Sequence, residues 1–181
     1  MSATGGCRGA LADRSPRCSR RLLHPPPGRG RGPGSARRGA APHRSRTLLE
    51  PGCWLTLAPE AEVEIGEGCF LNRNTMIAAH RRVAIGDHTM FANGCFVGDA
   101  EHRFDDPELP ITWQGFTTKG PVEIGSNCWF GVNCVVTSGV QVGDRCVLGA
   151  NSVLTRDLPA ETIAAGAPAK VIRKIEFARR L

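Results

Sequence analysis

Aliphatic and aromatic residues recur at every sixth position through the middle of this sequence: Ile65, Leu71 and Ile77, then Ile85, Phe91 and Val97, then Ile124, Phe130, Val136, Val142, Leu148 and Leu154. A six-residue period fits neither the helical period near 3.6 nor a long alternating strand, and a short fixed repeat of this kind marks a parallel β-helix. Each hexad predicts one short strand and one corner. The residue after the apolar one is often small, as at Gly66, Gly86, Ala92, Gly125, Gly131, Gly143 and Gly149, which permits a tight turn. Four residues on stands another mostly small residue: Cys69, Thr75, Thr89, Cys95, Cys128, Cys134, Val140, Cys146 or Ser152. Both positions are expected to point into a narrow core.

Three hexads make one turn, so coils begin at Ile65, Ile85, Ile124 and Val142, and about four to five coils are expected. The step from Ile65 to Ile85 is two residues longer than the step from Ile124 to Val142, which suggests a small corner insertion near Val83 and Ala84. Val97 to Ile124 spans 27 residues where the period requires six, so a loop over residues 98–121 projects from that corner.

Charge changes the picture only at one end. The net charge is +6, but residues 1–50 hold 11 Arg against Asp13 and Glu50, so the remainder is net acidic. With 8 Gly and 6 Pro and few bulky apolar residues, residues 1–46 cannot bury enough surface to offset ordering, and a disordered tail is expected ahead of a domain over 47–181. A nucleic-acid arm is therefore not the reading, nor is a secretory signal, for which no apolar core segment exists. No apolar run reaches the length of a membrane-spanning helix. Eight cysteines invite disulfides or zinc, yet five share the same inward hexad position and no CxxC pair occurs. Packing explains them, with free thiols in the cytoplasm and no metal expected.

A long insertion in a strict repeat is usually functional or disordered. This one carries His102, the carboxylates Asp99, Glu101, Asp105 and Asp106, Trp113, and Pro107 and Pro110, which stiffen it.

From about residue 48 onward the chain resembles the hexapeptide-repeat acyltransferases, close to the maltose, galactoside and polysaccharide O-acetyltransferase group. The resemblance rests on Asp99 to Asp106 with His102, on Gly120-Pro121-Val122-Glu123-Ile124-Gly125 leading to Cys128-Trp129-Phe130-Gly131, on Leu148 to Val153, and on Ile163 to Arg173. It implies a left-handed parallel β-helix, a handedness that the repeat itself does not encode. It also implies a homotrimer with each active site between neighbouring helices.

The activity implied is direct acetyl transfer from acetyl-coenzyme A to a hydroxyl, with His102 as general base removing the acceptor's proton. A neighbouring carboxylate or carbonyl would fix the tautomer of His102, with Asp99, Glu101, Asp105 and Asp106 as candidates by proximity in sequence. Carried over by position, Asn72, His80 and Trp129 match acceptor-site residues, although His80 stands where the sugar enzymes have an aspartate. Gly131, Ala150 and Thr155 match positions along the pantetheine arm, and Lys170 and Arg173 match residues that meet the coenzyme's phosphates. A packing role rivals the site role for Trp129, and a turn role does so for Gly131. His88 is expected simply to face solvent.

An N-acyltransferase on an amino sugar is the nearest alternative. A zinc carbonic-anhydrase-like β-helix, using His80, His88 and His102, is the rival of a different class, since such a centre needs three converging histidines. A catalytically inert scaffold would lack the loop or its histidine, and both are present.

Overall fold

The computed structural model describes residues 47–178. The expected disordered tail, residues 1–46, lies outside them.

Nearly all regular structure consists of short parallel strands stacked into three sheets, the faces of a triangular prism. The first face stacks Leu48–Leu49, Phe70–Leu71, Met90–Phe91, Trp129–Phe130, Val147–Leu148 and Thr162–Gly166, with Ala169–Lys174 laid antiparallel on the last. The second stacks Trp54–Leu57, Met76–Ala79, Phe96–Gly98, Val135–Val136 and Val153–Leu154. The third stacks Glu62–Ile65, Arg82–Ile85, Val122–Ile124 and Gln141–Val142, and an isolated bridge joins Val142 to Leu158. The parallel β-helix expected from the hexads is therefore present, with six layers on its first face rather than four to five coils.

The register explains both the agreement and the difference. Ile65, Ile85, Ile124 and Val142 stack directly, as the coil starts require. On the first face, Leu49, Leu71, Phe91, Phe130, Leu148 and Ala164 stack in steps of 22, 20, 39, 18 and 16 residues. Every departure from 18 falls at one vertex, between the second and third faces. There the chain takes extra residues after Leu57, after Ala79 and after Gly98, and too few after Leu154. The additional coils at the two ends escape the six-residue period for this reason. The two extra residues placed near Val83 and Ala84 are corrected by the same register: both lie inside the strand Arg82–Ile85, and the longer corner is at His80 and Arg81.

The other two vertices are uniform. At the residue before the inward small one, the backbone enters the left-handed region, as at Asn74 (φ 59°), His88 (φ 57°), Asn127 (φ 57°) and Asn133 (φ 55°). Asn tolerates this conformation better than most residues, which accounts for its recurrence there. The inward residue that follows is a donor as well as a small side chain. The thiols of Cys69 and Cys128 and the hydroxyl of Thr89 donate to Gly86 O (3.1 Å), Gly143 O (3.2 Å) and Gly125 O (2.8 Å), each in the following coil. At the next vertex Thr75, Cys95 and Cys134 donate to Ala92 O (3.4 Å), Gly131 O (3.1 Å) and Gly149 O (3.1 Å). Among the described residues no buried side-chain nitrogen or oxygen lacks a partner.

Inside, aliphatic side chains alternate with one aromatic step, where Phe91 and Phe130 stack at 4.5 Å between ring centroids. The six described cysteines are free. Burial pushes the Cys69 thiol up and the Cys128 thiol up to about 11, while the Cys134 thiol facing Cys95, together with burial, raises Cys95. These are packing thiols.

Candidate active site

The irregular vertex carries the projecting loop, which is fastened at both stems. At its start, Asp99 is wholly buried and its carboxylate accepts three backbone N–H groups, from His80 (2.6 Å), Arg81 (2.7 Å) and Arg82 (2.7 Å). That carboxylate replaces the ordinary corner, holding residues 80–82 of the preceding coil. At the loop's end, the buried Ser138 hydroxyl accepts Lys119 N–H (2.7 Å) and lies 3.3 Å from the Thr118 hydroxyl. Between the stems, Gln114 ties the loop to itself: its Oε1 accepts Asp106 N–H (3.0 Å), and its Nε2 donates to Asp106 O (2.9 Å) and Leu109 O (2.8 Å).

His102 stands on the short strand Glu101–His102, which pairs antiparallel with Phe116–Thr117. Its imidazole is exposed and makes no side-chain hydrogen bond to another described residue. Its aromatic neighbour is Phe116, 4.5 Å between ring centroids, and Phe116 also meets His80 at 5.4 Å. The expectation that a loop carboxylate would orient His102 finds no contact among the described residues. Asp99 is committed to residues 80–82, Asp105 pairs with Arg103 (3.0 Å), Asp106 Oδ1 accepts Glu108 N–H (2.9 Å), and Glu101 lies 4.0 Å from Lys119 Nζ. Sequence reasoning passed over Ser138, Gln114 and Phe116. Ser138 falls two residues after Val136, at a place the hexad pattern does not mark as inward, so the pattern carried no signal for it.

Of the other expected site residues, His80 and Thr155 share the irregular vertex with His102, and the rest lie elsewhere. Asn72 follows the first-face strand, at the vertex between the first and second faces, where its Oδ1 accepts Arg73 N–H (2.8 Å). Gly131 and Ala150 lie at that same vertex in successive coils. A Cβ on Gly131 would come within 2.6 Å of the Ala150 backbone nitrogen, so coil stacking alone demands glycine there. Thr155 is exposed at the irregular vertex, beyond the strand Val153–Leu154. Lys170 and Arg173 share the terminal strand Ala169–Lys174, both exposed. Trp129 points outward from the first face and is 49% exposed, leaving it unfilled as a packing residue within one chain.

The three histidines of the zinc alternative do not converge. His88 forms the left-handed corner between the third and first faces, away from the vertex of His80 and His102. Among the described residues no group of three or more His, Cys, Asp or Glu could hold a metal, and no helix is long and apolar enough to cross a membrane.

Residues 121–156 match the family of the hexapeptide repeat of succinyl-transferase. A probable acetyltransferase of Mycobacterium tuberculosis is 36% identical over 132 residues, covering 69% of this chain and 44% of that protein. The chain spans about half the length of the curated relatives it matches. Among solved structures, a maltose O-acetyltransferase from Clostridium difficile 630 is 31% identical with a TM-score of 0.58, covering 71% of this chain and 70% of its own. A galactoside acetyltransferase in complex with coenzyme A is 32% identical with a TM-score of 0.63, covering 72% and 63%. Stacked hexads, one loop interrupting them and this degree of identity lead to one assignment: the chain belongs to the hexapeptide-repeat acyltransferases.

Proposed function

We propose that the chain is an acetyl-coenzyme A dependent O-acetyltransferase acting on a hydroxyl of a sugar, glycan or similar metabolite. The observation that carries this reading is how His102 is presented: an exposed imidazole with both ring nitrogens uncommitted among the described residues, on a loop pinned at each stem. The acetyltransferase names of its relatives, one solved with coenzyme A, support the donor.

In this mechanism one imidazole nitrogen of His102 accepts the proton of the acceptor hydroxyl as its oxygen attacks the thioester carbonyl. The new C–O bond forms, the C–S bond breaks, and the proton passes from His102 to the departing thiolate. No acyl-enzyme intervenes. Lys170 and Arg173 supply cations for the coenzyme's phosphates, and Ala150 and Thr155 border its arm. Asn72, His80 and Trp129 serve the acceptor.

The site is completed by a second chain in a homotrimer. Outward residues on the first face form an apolar column, Phe70, Met90, Trp129 and Val147, and those on the second face another, Trp54, Met76, Phe96 and Val135. On the third face the outward side is polar, with Arg82 joined to Glu64 (2.8 Å) and Glu123 (3.0 Å). Two apolar faces and one charged face suit a closed ring of copies. The six free thiols suit a reducing, cytoplasmic location.

The test is thiol release from acetyl-coenzyme A with a panel of sugar hydroxyl and amino-sugar acceptors, repeated with His102→Ala. Turnover with hydroxyl acceptors that drops ~10²-fold or more in the variant supports the reading. Undiminished turnover in the variant removes His102 as base, and turnover confined to amines replaces the O-acetyl by an N-acetyl assignment.

A further inference from the structure

We propose that Phe116 is the positioning residue of His102, doing by ring packing what a hydrogen-bonded carboxylate does in other proton-transfer sites; this rests on His102 being the base. The antiparallel register sets Phe116 directly opposite His102, so the two side chains leave the same face of the ribbon. Their rings lie 4.5 Å apart at 34°, an offset and tilted contact. Phe116 also meets the His80 ring, at 5.4 Å and 35°.

The backbone at His80 is held, because its N–H donates to Asp99 at 2.6 Å, and Asp99 begins the stem of the same loop. A closed circuit results: coil corner, His80, Phe116, His102, and back through the strand to Asp99. Such a circuit sets the height and tilt of the imidazole relative to the coil. It also has a chemical consequence that a carboxylate partner would not have. A phenyl ring makes no claim on either imidazole nitrogen, so both stay available to the acceptor and the leaving thiolate. Asp99, Asp105 and Asp106 are engaged elsewhere and Glu101 lies toward Lys119, which leaves Phe116 as the neighbour set against the ring.

The experiment compares Phe116→Leu, which keeps an apolar side chain but removes the ring, with Phe116→Tyr, which keeps the ring, alongside wild type and His102→Ala. Two readouts are taken: the imidazole C–H resonances of His102, assigned by their loss in His102→Ala, and kcat and KM for acetyl-coenzyme A. In Phe116→Leu the His102 resonances should move downfield as the ring current vanishes. Its kcat should fall by on the order of 10- to 100-fold with KM little changed, because misplacement of a reacting group acts on the chemical step. Phe116→Tyr should restore both. Unmoved resonances overturn the stack in solution. Full kcat in Phe116→Leu, beside a lost kcat in His102→Ala, overturns Phe116 while leaving the base in place. Full kcat in His102→Ala removes the base, and with it any catalytic purpose for Phe116.

Discussion

Cys128 and Thr89 occupy the same corner position in successive coils, and each donates to a carbonyl of the coil that follows, Gly143 O at 3.2 Å and Gly125 O at 2.8 Å. Each also accepts a backbone N–H: Cys146 N–H reaches the Cys128 sulfur (3.4 Å), and Cys128 N–H reaches the Thr89 oxygen (3.2 Å). The position demands smallness and a donor together. Cys128→Thr should therefore keep stability within about 1 kcal/mol, whereas Cys128→Val, of similar volume, should lose ~1–3 kcal/mol by stranding a buried carbonyl and a buried N–H. Denaturant midpoints measure both. The pH dependence follows from the same burial. The folded Cys128 thiol ionises near 11 against an ordinary 9.0, so its stabilising contribution is complete below pH 9 and is lost as pH rises through 11. Cys128→Thr should flatten part of that alkaline decline. The sequence made the size requirement of these places legible, since period and residue volume carry it. The donor role was hidden, because the carbonyl it serves comes from another coil.

Hexads reveal an element only where three of them close a coil without remainder. The coil from Ile124 to Val142 does so, and the starts at Ile65 and Ile85 were legible from their aliphatic hexads, while the coil containing Leu49 and Leu55 was not, because four extra residues separate Leu55 from its third-face partner Ile65. The loop was legible as a gap. Its fastening was not, because Asp99 serves backbone groups 17 to 19 residues earlier and Ser138 serves Lys119 from 19 residues later. A carboxylate beside a loop histidine reads as its partner until the fold gives it other work. Asp99→Ala leaves three N–H groups without acceptors, and the expected cost is at least ~2 kcal/mol, carried by the loop stem. Trypsin should then cut after Arg103 in the folded protein much faster than in wild type, while circular dichroism stays that of a β-helix. Equal cleavage rates would show that Asp99 does not hold the loop. Asp99→Asn, which keeps one acceptor oxygen, should fall between.

At the scale of the whole molecule, the two apolar faces and the charged third face fit the proposed closed ring of three chains. A ring is heterologous: the first face of one chain meets the second face of the next, so each chain uses two different surfaces. An isologous dimer would use one. Met90→Glu places a charge in the first-face column and Val135→Glu in the second, while Gln141→Glu adds one on the polar third face. A carboxylate forced into an apolar interface costs several kcal/mol, enough to open a contact of ordinary size. Light scattering should give a trimer for wild type and for Gln141→Glu, and single chains for each of the other two variants. Mixing those two variants supplies the sharper result. The Met90→Glu chain keeps its second face and the Val135→Glu chain keeps its first, so one sound interface can form between them and no second one can close the ring. The mixture should form mixed dimers and stop there. Dissociation by only one of the two substitutions would instead identify an isologous dimer through that face. Because the proposed site is completed by a neighbouring chain, acetyl transfer should be lost in each separated variant and return, at one site per pair, in the mixed dimer.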